Sequence, residues 1–230
     1  MGGVDLLEIK DITKLYSDEF GVKKVSFQAM EGRIISLIGP NGAGKSTVLN
    51  IIAGALYQNK GEVLLNGQDV RKSEVKKYIG YMPDNISVNP KIKTKELLHI
   101  ISDYKYEGRF KDEIAQAMDD YQIQKYANME FRKLSMGTKK KLGMIIAFMG
   151  MPPLIILDEP TNGVDTEGIL KLKEKILKAK KNGSIIIVSS HILDFIGAIA
   201  DQNIFLKDGR IQKIVDKEED LEKTYQKLYL

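Results

Sequence analysis

Gly39-Pro40-Asn41-Gly42-Ala43-Gly44-Lys45-Ser46-Thr47 is the stretch that decides how this chain folds. It carries the spacing G-x-x-x-x-G-K-[ST]. The apolar run Ile34-Ile35-Ser36-Leu37-Ile38 leads into it, and the helix-like segment Val48-Leu49-Asn50-Ile51-Ile52-Ala53 leads out. A strand, a glycine-rich turn and a helix in that order make an anion site. The glycines let several backbone N–H groups converge on one point, and the helix that starts at the lysine adds the positive end of its dipole. Asn41, Gly42, Ala43, Gly44, Lys45, Ser46 and Thr47 are therefore the expected phosphate contacts. Lys45 is expected to reach the β- and γ-phosphates of a nucleoside triphosphate, and the Ser46 hydroxyl to hold Mg²⁺.

A triphosphate site needs carboxylates as well. Leu154-Ile155-Ile156-Leu157-Asp158-Glu159 supplies two at the end of a wholly apolar run, where ligands bind in open α/β sheets. Asp158 suits an outer ligand of Mg²⁺-bound water, and Glu159 suits polarising an attacking water. The same run could equally end in an acidic helix cap. His191 follows a second apolar run, Ser184–Ser190. It reads either as a capping or packing residue or as a hydrogen-bond partner of a γ-phosphate. His99, the other histidine, falls on an apolar-rich helical face and reads as structural.

Composition narrows the field. The chain has 230 residues, 43% hydrophobic and 29% charged, enough for a real core. Its net charge is +4 with the lysines spread along the chain, so charge alone does not call for a nucleic-acid partner. There is no cysteine, which excludes disulfides and thiolate metal sites and fits a reducing compartment. No apolar stretch is long enough to span a bilayer; the nearest, Leu142 to Leu157, is broken by Pro152-Pro153. Met1-Gly2-Gly3-Val4-Asp5 lacks the features of a secretion signal. Leu6 stands where an acylated Gly2 start would have Ser or Thr.

Periodicity organises the rest. Leu6–Ile12 and Lys24–Ala29 alternate as half-buried strands, and Glu62–Leu65 ends in the turn Asn66-Gly67. From Thr94 to Tyr126 the apolar residues recur at helical spacing, with Gly108 separating two helices. Leu154–Leu157 and Ser184–Ser190 are apolar on both faces, as in a parallel sheet covered on both sides. Thr166–Lys181 reads as an amphipathic helix closed by Asn182-Gly183. Asn203–Leu206 and Arg210–Val215 flank the turn Lys207-Asp208-Gly209 and read as a hairpin. Lys217–Leu230 reads as a charged amphipathic helix.

The order of these pieces resembles the nucleotide-binding subunits of ATP-binding cassette (ABC) transporters over nearly the whole chain. Leu134-Ser135-Met136-Gly137-Thr138 resembles the family's LSGGQ signature, and Asn162-Gly163-Val164-Asp165 its D-loop. The resemblance implies an α/β fold: a P-loop NTPase with a mostly parallel central sheet, an N-terminal antiparallel β subdomain and an inserted helical subdomain. It implies one domain, 1–230, with the core and β subdomain at about 1–84 and 152–230 and the helical subdomain at about 85–151. By the same resemblance Tyr16 stacks on adenine, His191 is the switch histidine, and Ser135 and Gly137 face the γ-phosphate held by a second ABC ATPase subunit, identical or not. ATP and Mg²⁺ are the implied cofactors.

Two motifs depart from the family pattern. Met136 and Thr138 replace Gly and Gln in the signature, while Ser135 and Gly137 keep the hydroxyl and one flexible N–H. In Tyr81-Met82-Pro83-Asp84-Asn85, Asp84 stands where the Q-loop usually has glutamine. Being shorter, Asp84 is expected to reach Mg²⁺ through a water or after loop closure, with Asn85 as the alternative from a slipped loop. The resemblance further implies Mg²⁺-dependent ATP hydrolysis that drives transport, export by analogy, through an integral membrane permease on a separate chain. That places the protein in the cytoplasm, on the inner face of the cell membrane. Ile86, Val88 and Ile92 are candidates for lining the permease groove or for the helical core. The competing reading is a soluble cassette ATPase of cluster assembly or of ribosome- or nucleic-acid-associated work.

Overall fold

Strands whose residues are all apolar must be covered on both faces, and the two halves of this chain do the covering. The computed structural model describes residues 6–17, 20–217 and 220–230; the Met1–Asp5 stretch weighed above as a leader lies outside them. The chain opens with β1 (Leu6–Leu15), β2 (Gly21–Met30) and β3 (Ile34–Ile38), then α1 (Lys45–Ile52). Next come β4 (Lys60–Leu65), β5 (Gln68–Asp69), the short α2 (Ser73–Lys76) and β6 (Ile79–Met82). Three helices intervene, α3 (Thr94–Tyr106), α4 (Glu113–Asp120) and α5 (Met136–Phe148). The chain then alternates through β7 (Leu154–Asp158), α6 (Thr166–Lys181), β8 (Ile185–Ser189), α7 (Leu193–Ile199), β9 (Gln202–Lys207), β10 (Arg210–Asp216) and α8 (Leu221–Tyr229).

Two sheets result. One is four-stranded and antiparallel, in the order β2-β1-β4-β5; the other is six-stranded, in the order β10-β9-β3-β8-β7-β6. In the larger sheet β9, β3, β8, β7 and β6 run parallel and β10 closes the edge antiparallel. Strand alternation sends neighbouring residues into different cores. Leu154, Ile156, Ile185, Ile187, Ile35 and Leu37 pack with α1 and the antiparallel sheet. Ile155, Leu157, Ile186, Val188, Ile34 and Ile38 pack with the helices on the other face. This division explains why β7 and β8 read as continuous apolar runs.

The expected helices are found, and side-chain caps fix the starts of α5, α6 and α8. Asp165 accepts from the Gly168 N–H at 2.8 Å and starts α6, a cap worth about 1 kcal/mol. The carboxy-terminal helix starts at Leu221, not at Lys217, because the Asp220 side chain accepts from the Lys223 N–H at 3.0 Å and fixes its first turn. The helical segment shares its core with one sheet face. Ile86, Val88 and Ile92 lie partly buried against that core. His99 is half-buried on α3. No helix among the described residues is long and apolar enough to cross a membrane.

Candidate functional site

β3 lies between β8 and β9, so the glycine-rich loop leaves the sheet at the carboxyl end of a central parallel strand. Gly44 adopts φ 101 immediately before α1, and a Cβ there would lie 2.7 Å from Val22 Cγ1. Only glycine fits both the conformation and the close approach. The loop curls around a cavity of about 700 Å³ lined by Gly39 to Thr47, Asp84, Glu159, Asn162, His191 and Tyr225. That volume is ample for a nucleotide's phosphates. Lys45 is 7% exposed, and its ammonium bends back across the loop to donate to the carbonyls of Gly39 (2.7 Å) and Pro40 (3.3 Å). It also lies 3.7 Å from Glu159 Oε1. A phosphate entering the loop would replace weak carbonyl acceptors with a full anion.

Glu159 is the most constrained residue of the site. Its backbone is left-handed, φ 46, which costs a non-glycine residue about 1 kcal/mol. Such a conformation persists where its surroundings over-determine it, and here every polar group is engaged. Its N–H donates to Ser189 Oγ at 2.9 Å, its carbonyl accepts from Lys140 Nζ at 3.1 Å, and its Oε2 lies 2.9 Å from His191 Nδ1. The carboxylate is thereby aimed into the phosphate cavity rather than onto a helix N-terminus.

Asp158 sits behind that surface, 1% exposed, accepting from Ser189 Oγ at 2.6 Å. Burial pushes its carboxyl pKa upward; hydrogen bonds from the Ser189 and Ser46 hydroxyls oppose the shift, and the charges of Asp84 and Glu159 add to it. Asp158, desolvated and hydrogen-bonded by the Ser46 and Ser189 hydroxyls, offers together with Ser46 the hard oxygen donors that a small divalent cation takes, a cation that commonly needs one or two carboxylates besides water and substrate phosphates. The residues present therefore fit Mg²⁺.

Tyr16 is not among the residues lining this cavity. Its ring is 61% exposed and its hydroxyl is 3.5 Å from Thr47 Oγ1, which puts an open aromatic face beside the end of the loop. Asp84 also differs from the simplest expectation. Its Oδ1 pairs with Lys140 Nζ at 2.8 Å, and Asn85 Nδ2 donates to its Oδ2 at 3.3 Å. The carboxylate borders the cavity but is already engaged.

Ser135 and Gly137 line a different cavity, about 520 Å³, together with Gly163 and Asp165. Ser135 caps α5: its Oγ accepts from the Thr138 N–H at 3.2 Å and shares a 2.8 Å hydrogen bond with the Thr138 hydroxyl. Thr138 thus supports the helix start locally where a longer glutamine would extend outward. Gly137 is needed sterically, because a Cβ there would lie 2.6 Å from the Gly163 carbonyl oxygen. Gly137→Ala should cost about 1–3 kcal/mol by overpacking this contact. A calorimetric melt of the free chain should show it as a fall of roughly 2–10 °C; an unchanged melt would mean that the two turns separate freely.

A sequence profile described as "ABC transporter" matches residues 22–162, more than half of the chain. The chain belongs to the ABC transporter family. It is an ATP-binding, ATP-hydrolysing cassette of that family. Over 224 residues it is 30% identical to the lantibiotic transport ATP-binding protein SrtF of Streptococcus pyogenes, covering 97% of this chain and 96% of SrtF. It is 28% identical over 212 residues to the SkfA peptide export ATP-binding protein SkfE of Bacillus subtilis, covering 91% and 89% of the two chains. Among solved structures it resembles the ATP-binding subunit of an ABC transporter, with a TM-score of 0.88, 25% identity and coverage of 97% and 99%. Its fold also matches a dimeric cassette in a post-hydrolysis state with ADP and Pi, with a TM-score of 0.83, 24% identity and coverage of 93% and 100%.

Around the cassette's phosphate cavity, the fold gathers Asn41 to Thr47, Asp84, Glu159 and His191, with Asp158 behind them, and leaves Ser135 and Gly137 elsewhere. Sequence reasoning missed Tyr225 and Lys140. Tyr225 arrives from α8, which is anchored by the Tyr229 hydroxyl donating to the Leu206 carbonyl at 2.8 Å. Lys140 carried no local signal, one lysine in a run of three.

Proposed function

We propose that two copies of this cassette, or this cassette and a similar one, clasp two ATP molecules between them, each copy lending half of each pocket. The observation that carries this reading is the separation just described. The phosphate loop and the Ser135–Gly137 turn of one chain line different cavities, so a nucleotide seated in the loop meets a signature turn only if another copy brings it. In this reading the backbone N–H groups of Asn41 to Thr47 and the Lys45 ammonium hold the phosphates. Tyr16 stacks on the base. Glu159 takes the proton of the attacking water, and His191, 2.9 Å from Glu159 Oε2, orients that carboxylate and the γ-phosphate. Bound through Ser46 and Asp158, with Asp84 nearby, Mg²⁺ would neutralise charge on the phosphates.

The closure and reopening of this sandwich drive a membrane-spanning permease on a separate chain, in the export direction. Two relatives support the cargo class by their names, one in lantibiotic transport and one in peptide export. The chain acts as one unit, 1–230, with the helical part, about 85–151, meeting the permease, which holds the cassette on the cytoplasmic face of the membrane. Expressed with its native neighbours, the cassette should be recovered from detergent extracts together with an integral membrane protein. Recovery only with soluble factors or ribosomes would overturn the transport assignment.

Tyr16→Ala removes the base platform alone. Stacking of a base on an aromatic ring contributes about 1–3 kcal/mol. ATP affinity by calorimetry should fall accordingly, about 5- to 150-fold, while a free triphosphate ligand binds as before. Equal loss for both ligands would show that Tyr16 acts on the loop and not on the base.

A further inference from the structure

We propose that Lys140 is a positioning residue for ATP hydrolysis, a buried ammonium that ties Asp84 to the backbone of Glu159 and explains why aspartate stands at position 84. This rests on the proposed role of Glu159. Lys140 is 4% exposed in the second turn of α5. It has one carboxylate partner among the described residues, Asp84 at 2.8 Å, and it donates to the Glu159 carbonyl at 3.1 Å. One side chain therefore joins the loop after β6, the helix that begins at the signature turn, and the acidic end of β7.

The charge argument is direct. A buried ammonium needs a carboxylate close by; a carbonyl alone leaves it costly. Glutamine at position 84, as the family pattern has it, would strand the Lys140 charge. Aspartate neutralises it. The shorter side chain is thus matched to a cation on the neighbouring helix, and Asp84 is held at Lys140 and Asn85 instead of standing free for a metal. The second contact bears on chemistry. Glu159 is held at φ 46, and the Lys140 hydrogen bond supports the peptide that this strained backbone turns inward. Losing it lets the Glu159 carboxylate drift, which lowers turnover without touching the loop that binds phosphate.

The test is a double-mutant cycle with Asp84→Gln, Lys140→Gln and the pair together. Four quantities are read: melting temperature without nucleotide or metal, ATP affinity by calorimetry in EDTA, and steady-state kcat and KM. Each single variant should melt roughly 5 °C lower and lose about 10-fold or more in kcat, with ATP affinity in EDTA within about 2-fold of the parent because Lys45 and the loop are intact. The double variant should regain most of the melting loss, because no buried charge is left unpaired, while its kcat stays about as low as that of Lys140→Gln, because the hydrogen bond to the Glu159 carbonyl is still missing. Restoring the family's glutamine alone is therefore harmful, and removing the lysine as well repairs the stability without adding to the loss of turnover.

Losses that simply add in the double variant overturn the proposal, as do silent single variants. Coupling in melting without coupling in kcat reduces Lys140 to a structural ion pair and overturns the positioning role. If Lys140→Gln does not fold, a folded double variant is the predicted outcome and an unfolded one the contrary. Failure of the ATPase reading looks different: the parent chain itself would bind no ATP, while the melting cycle would still show its coupling.

Discussion

Glu159→Gln is expected to bind ATP as tightly as the parent chain and to lose turnover by about 10²–10⁴-fold, the range for a general base. The amide keeps the shape of the side chain and can still reach His191 Nδ1, which now lies 2.9 Å from Oε2. It cannot accept a proton from water. It also removes a negative charge 3.7 Å from the Lys45 ammonium and close to the buried Asp158, so anionic phosphates meet less repulsion. Binding measured by calorimetry and phosphate release measured in the same buffer give the comparison. If the variant hydrolyses ATP like the parent, Glu159 is not the base, and its strained backbone serves the fold alone.

Lys45→Ala should act on the opposite step. The lysine is buried, and it spends its hydrogen bonds on two loop carbonyls and its charge on Glu159. Those are poor partners for an ammonium compared with a phosphate oxygen. A charge-assisted hydrogen bond is worth about 1.5–3 kcal/mol, so ATP affinity should fall about 10- to 150-fold. Turnover should fall further, by about 10²–10³-fold, because the same charge acts on the transferring phosphoryl group. The pair of variants separates binding from chemistry: one loses both, the other loses only the second. A Lys45→Ala chain that still turns over ATP at the parent rate contradicts the placement of the phosphates in this loop.

Much of this architecture was legible in the residues, and for identifiable reasons. β7 and β8 could be read because Leu154–Leu157 and Ile185–Val188 are apolar at every position, which only a sheet covered on both faces permits. α6 ran over the expected Thr166–Lys181 because its signals are local: an aspartate cap before it and Asn182-Gly183 after it. The phosphate loop was legible because its spacing is the geometry itself. β5 and α2 were not read at all, being too short to show a period. The start of α8 was misplaced because Lys217 to Asp220 are all charged; Glu218 and Glu219 lie outside the described residues.

What could not be read was pairing across the fold. Asp84 and Lys140 are 56 residues apart and meet only because α5 packs against β6. Tyr225 enters the cavity from the last helix for the same kind of reason. The sequence marked Asp84 as a departure from the family pattern, and the structure gives it a partner. Carboxylates and lysines are common in any chain, so complementarity at long range has no signature until the backbone brings the two together.

The claim on which the rest depends is that the pocket is shared between copies. Sedimentation velocity of the Glu159→Gln cassette, with Mg²⁺ and with or without ATP, tests it most directly, since that variant retains the bound nucleotide. The account predicts a one-chain species without ATP that converts to a two-chain species with it, and predicts that Ser135→Ala together with Gly137→Ala blocks the conversion while leaving the one-chain form folded. A species that remains a single chain when calorimetry shows its site saturated with ATP would contradict it.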